Sequence, residues 1–145
     1  MKRDKKLVLL AHCIMNQNSV VYPLARAKGG FKNVITTYLN ENYGIYQLPC
    51  PELRYLGLTR KPMTKEDYDS EAYRTLCHKL AEEVMEDLRH YRDDQVTIAV
   101  LHGVNHSPTC SITGRRGHFM DILLELLEKE NFELEHREIS TSYEE

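Results

Sequence analysis

The apolar run Leu7-Val8-Leu9-Leu10-Ala11 follows a polar start and stops at His12-Cys13. A short unbroken run of this kind predicts a strand buried on both faces of a parallel sheet. Phe31, Val34, Ile35, Tyr38 and Leu39 then recur at helical spacing, with Gly44 as the predicted stop. Ile45-Tyr46-Gln47-Leu48 predicts a second strand, broken by Pro49-Cys50-Pro51 because proline has no ladder donor. From Gly57 to Asp69 the text is polar and predicts a loop that covers a site. Ser70 is the predicted cap of a long helix whose apolar stripe is Tyr73, Leu76, Cys77, Leu80, Val84, Leu88 and Tyr91. Val96 to Leu101 is the most strand-like run and passes into a predicted loop, His102 to Cys110. A final helix carries Phe119, Ile122, Leu123, Leu126 and Leu127, and Phe132 to Ile139 predicts one more strand.

The order βαβαβαβ argues for an α/β class: a single Rossmann-like domain over residues 1–145, with a mostly parallel sheet and helices on both faces. The length suits one core, and no repeat or linker divides the chain. A net charge of −3, with the basic residues dispersed beyond the first six positions, argues against a nucleic-acid polymer as partner. The longest apolar run falls far short of the roughly 20 residues of a membrane helix, so a soluble, cytoplasmic protein without a membrane partner is expected.

Four cysteines without a secretory signal imply a reducing compartment, where thiols serve packing, metal binding or catalysis. Cys77 lies on a helical apolar stripe and reads as a small hydrophobe. Cys13, Cys50 and Cys110 each follow a predicted strand, and in a parallel sheet the residues after different strands emerge on one edge. Three thiolates at one site select zinc, copper(I) or an iron–sulfur cluster. Three protein ligands leave an open coordination position, the mark of a catalytic centre. A fourth ligand from His12, His102 or His106 would instead close a Cys₃His zinc site.

Cys13, the triplet Cys50-Pro51-Glu52 and the run Ser107-Pro108-Thr109-Cys110 together resemble the DUF523 family, whose characterised branch is the thiouracil desulfidases. Three differences mark a divergent branch: Asn16-Gln17-Asn18-Ser19-Val20 replaces the family's Arg-Tyr-Asp-Gly segment, Thr109 replaces serine, and Ser111 replaces glycine. The resemblance implies a [4Fe–4S] cluster held by Cys13, Cys50 and Cys110, with one iron not ligated by protein and free to take the sulfur of a thiocarbonyl substrate. It further implies Glu52 as the base that accepts a proton from water, and Ser107 as a residue that orients water or hydrogen-bonds the substrate. The product is then the oxygen analogue with release of sulfide, and the partner is a small-molecule thio-substrate such as a thiouracil-like base or related thioamide. Asn16, Asn18, Asn105 and His106 fall in the same loops and are candidate substrate-binding residues. Two alternatives remain: a non-catalytic zinc, iron–sulfur or sulfur carrier, and a thiol redox enzyme, the latter weaker because no CxxC pair is present.

Overall fold

The computed structural model describes residues Met1–Glu145. Strand β1 (Lys6–Leu10) is central, and Val8, Leu9, Leu10 and the following Ala11 are fully buried, as the unbroken apolar run requires. Short helix α1 (His12–Met15) and a 3-10 turn (Gln17–Ser19) lead to α2 (Lys32–Asn40), β2 (Gly44–Gln47) and α3 (Pro51–Leu56). Long helix α4 (Glu71–Asp93), β3 (Thr97–Val104), α5 (His118–Lys129) and β4 (Glu135–Ile139) complete the chain.

All strand pairs are parallel, in the order β2-β1-β3-β4. This is the flavodoxin-like variant of the doubly wound sheet, whose switch point lies between the carboxyl ends of β1 and β3. The β1-to-β2 connection runs opposite to the other two. Right-handed crossovers therefore put α2 on one face and α4 and α5 on the other, and α4 packs along α5. The Ser70 hydroxyl caps α4 by accepting the Tyr73 N–H at 3.1 Å, and Tyr73, Cys77, Leu80, Val84 and Leu88 are buried. Tyr91, expected on that stripe, is 40% exposed in the last turn of the helix.

Several boundaries differ from the sequence expectation. Gly44 does not stop α2 but opens β2, and Asn42 makes the left-handed turn between them. Strand β3 continues through His102 to Val104, so His102 is a sheet residue and not part of a loop. The last strand begins at Glu135 and not at Phe132. Helices α1 and α3 are too short to show a hydrophobic period; α1 contains Cys13 and α3 directly follows Cys50.

Candidate active site

Cys13, Cys50 and Cys110 line one cavity of about 370 Å³ at the carboxyl edge of the sheet. Cys13 sits in α1, directly after β1. Cys50 is the residue before α3, where Pro51 fixes the first helical position and Cys50 Sγ accepts the Leu53 N–H at 3.4 Å. Cys110 lies beyond β3 in a loop folded back on the strand, its carbonyl accepting the Val104 N–H at 3.0 Å. A Cβ on Gly103 would fall 2.4 Å from that carbonyl oxygen, so only glycine allows the approach. Cys77 is buried in α4 and does not line the cavity. A larger hollow of about 780 Å³ at the opposite edge, built from the amino-terminal segment, carries none of the four cysteines.

Burial pushes the Cys13 thiol up to about 12, and Cys50 and Glu52 add to the rise. Burial also raises Cys50, and it raises Cys110 well above the ordinary thiol value, with Cys13, Cys50 and Glu52 contributing. Three thiols that feel one another in a desolvated pocket become thiolates only beside a compensating cation. No three His, Cys, Asp or Glu side chains are closed around a single-ion site. Three thiols on one cavity are soft donors, the chemistry of cysteine-bound iron–sulfur clusters.

Glu52 borders the same cavity and is held by three donors. Thr109 Oγ1 donates to Oε2 at 2.7 Å, Tyr68 OH to Oε1 at 3.1 Å, and Arg60 Nε to Oε1 at 3.4 Å. The single Thr109 proton points at the carboxylate, so Tyr73 OH, 2.7 Å from the same oxygen, donates to Thr109. Arg60 also donates to the carbonyls of Gly57 and Ser19, at 2.9 and 2.7 Å, so its guanidinium is committed to structure. Arg60 and Tyr68 come from the polar segment 57–69, which thereby borders the site.

Ser107 Oγ accepts the N–H groups of Thr109 at 3.2 Å and Cys110 at 3.0 Å, which fixes the turn carrying the cysteine. Its own proton remains available. Asn105 and His106 line the cavity, but Asn16 and Asn18 do not. Asn16 Oδ1 accepts from the Asn18 backbone and side chain, both at 3.1 Å, and the 3-10 turn instead directs Gln17 and Ser19 inward. Gln17 Nε2 donates to the Cys13 carbonyl at 2.8 Å, bracing α1. His102 is not at the cavity: its Nδ1 lies 2.7 Å from Tyr38 OH on the α2 face of β3. His12 does line it. Its Nδ1 faces the Leu48 carbonyl at 3.0 Å, and a carbonyl only accepts, so Nδ1 carries a proton.

Sequence reading missed Gln17, Tyr68 and Tyr73 as site residues, and had Thr109 only as a replacement for serine. Val20, Val21, Leu24 and Phe31 form an apolar wall. The arrangement combines a soft-ligand centre, an oriented carboxylate and a partly apolar chamber of small-molecule size.

No solved structure matches the chain. An uncharacterized protein of Methanocaldococcus jannaschii is 45% identical over 129 residues, covering 89% of this chain and 82% of that protein. The model of the family described as "Putative 2-thiouracil desulfurase" matches residues 5–142, nearly the whole chain including all three cavity cysteines and Glu52, and the chain belongs to that family.

Proposed function

We propose that this protein is a desulfidase that hydrolyses the C=S bond of a small thiocarbonyl compound, a thiouracil-like base or related thioamide, to C=O and sulfide. The observation that carries the reading is the meeting of Cys13, Cys50, Cys110 and Glu52 on one cavity. The three cysteines would hold a [4Fe–4S] cluster, whose fourth iron when bound supplies a Lewis acid for the thiocarbonyl sulfur. The chain does the rest. Glu52 takes a proton from the attacking water. Three of its acceptor sites are filled by Thr109, Tyr68 and Arg60, and these bonds keep the remaining site aimed. Ser107, with its lone pairs on backbone N–H groups, has one proton to give to a substrate oxygen or nitrogen. Asn105 and His106 border the substrate's polar edge, and the Val20–Phe31 wall covers its apolar face and limits water.

The test is anaerobic sulfide release from 2-thiouracil and 4-thiouracil by reconstituted wild type and Glu52→Gln. Wild type is expected to release sulfide, and Glu52→Gln to keep its iron while losing about a hundredfold in rate or more, the range of a lost general base. An unimpaired Glu52→Gln rate removes Glu52 as the base, and no sulfide from an iron-loaded wild type on any thio-base removes the reading.

One observation favours a second reading. His12 lines the cavity with its Nδ1–H held by a backbone carbonyl, the outer bond that a metal-binding histidine makes. A Cys₃His zinc protein without turnover would be colourless and retain zinc.

A further inference from the structure

We propose that Glu138 of β4 is a positioning residue for Cys110: its carboxylate clamps the backbone just after that cysteine to the carboxyl end of the sheet. The inference rests on the reading of Cys110 as a ligand. Oε2 of Glu138 accepts the Ile112 N–H at 2.9 Å and faces the Ser111 hydroxyl at 3.5 Å. Oε1 accepts the Thr113 N–H at 3.2 Å and the Thr113 hydroxyl. The donors are the Ile112 and Thr113 N–H groups and the Thr113 hydroxyl, while the Ser111 hydroxyl gives its proton to the Thr113 carbonyl at 3.1 Å; no lysine or arginine pairs with Glu138, and its neighbour Arg137 pairs with Glu135 instead.

The loop needs such a clamp. Upstream, Cys110 is tied by its carbonyl to Val104 N–H and by its N–H to Ser107. Gly103 gives the loop room to lie on β3, but room is not attachment. Downstream, Ile112 is almost fully buried without belonging to a helix or strand, so its N–H requires an acceptor, which Glu138 supplies. Glu138 pairs in register with Gly103, the residue beneath Cys110, so β3–β4 pairing brings the carboxylate to that place. Bonds from backbone N–H groups to a carboxylate are short, strong and directional, and they fix the backbone that aims a ligand.

The test compares Glu138→Ala and the milder Glu138→Gln with Glu135→Ala, an exposed control on the same strand. In the apo protein, alkylation of Cys110 is followed by mass spectrometry. Loss of one charge-assisted hydrogen bond from the local opening equilibrium is expected to speed Cys110 labelling about tenfold or more, with Cys77 unchanged. After reconstitution, iron loss to a chelator is expected to accelerate in the same variants, with Glu138→Gln intermediate and Glu135→Ala like wild type. Unchanged Cys110 labelling in the Glu138 variants overturns the proposal, as does unchanged iron loss from a variant that labels faster. A wild type that takes up no iron sinks the cluster reading, and labelling alone then decides the clamp.

Discussion

Replacing Thr109 with valine removes one hydroxyl at nearly constant volume. That hydroxyl donates to Glu52 and accepts from Tyr73, both at 2.7 Å, in a place where Thr109 is 1% exposed and Tyr73 fully buried. Losing a hydrogen bond to a carboxylate costs about 1.5–3 kcal/mol, and leaving a buried phenol without a partner costs about 1–3 kcal/mol. The two losses share one atom and are not additive. A total of about 2–4 kcal/mol is expected, a large part of the roughly 5–15 kcal/mol that holds a domain together. For a chain of this length that corresponds to a Tm drop of roughly 6–12 °C. Thr109→Ser keeps the hydroxyl and should lose less than about 1.5 kcal/mol, the deletion of one methyl. Urea unfolding of the metal-free proteins measures both, and the metal-free state separates the network from any ligand effect. If Thr109→Val unfolds within about 0.5 kcal/mol of wild type, the level of an ordinary surface change, the Tyr73–Thr109–Glu52 chain does not exist in solution as described.

Two further outcomes follow from the same kind of reasoning. His102 is buried with no partner at Nε2, and burial lowers its pKa from 6.5 to about 4, with Arg137 adding to the fall and Glu138 opposing it. The unfolded chain therefore binds the proton first as pH falls. Stability from this group is full above about pH 6.5 and is lost progressively towards pH 4, by about 3 kcal/mol in all. His102→Gln should flatten that part of the stability–pH curve, and an unchanged slope in urea titrations would assign it to other groups. Gly117→Ala should be worse than an ordinary loop change, because its Cβ would lie 2.3 Å from the Thr109 carbonyl carbon. A cost of about 1–3 kcal/mol together with poorer iron retention is expected, and wild-type values for both would refute the close approach.

The strands and long helices were legible because burial imposes a period or an unbroken apolar run on them. Leu7–Ala11, the β3 run and the Ser70 cap of α4 are all found where the pattern puts them. The convergence of Cys13, Cys50 and Cys110 was legible for a topological reason: parallel strands bring their carboxyl ends to one edge. Finer detail was not. A four-residue helix has no period to read, so α1 was invisible, and α3 looked like a proline break although Pro51 opens it. Asn16 and Asn18 against Gln17 and Ser19 is a difference of one residue in phase, decided by the 3-10 turn and the bond of Gln17 to the Cys13 carbonyl. His102 looked like a loop residue because the apolar run ends at Leu101 and the strand continues through a polar histidine and a glycine, the latter a poor strand signal. The partners of Glu52 come from the polar segment 57–69 and the Cys110 turn, and no local pattern links those segments to Glu52.

The most direct test of the central claim is anaerobic iron–sulfur reconstitution of wild type beside Cys13→Ala, Cys50→Ala, Cys110→Ala and Cys77→Ala, read by visible absorption and by iron, sulfide and zinc content. The account predicts a brown wild type and a brown Cys77→Ala, each with about four irons per chain, the content of a cysteine-bound [4Fe–4S] centre, and three colourless cavity variants. Equal iron in all four variants, or a colourless wild type that holds zinc, would contradict it.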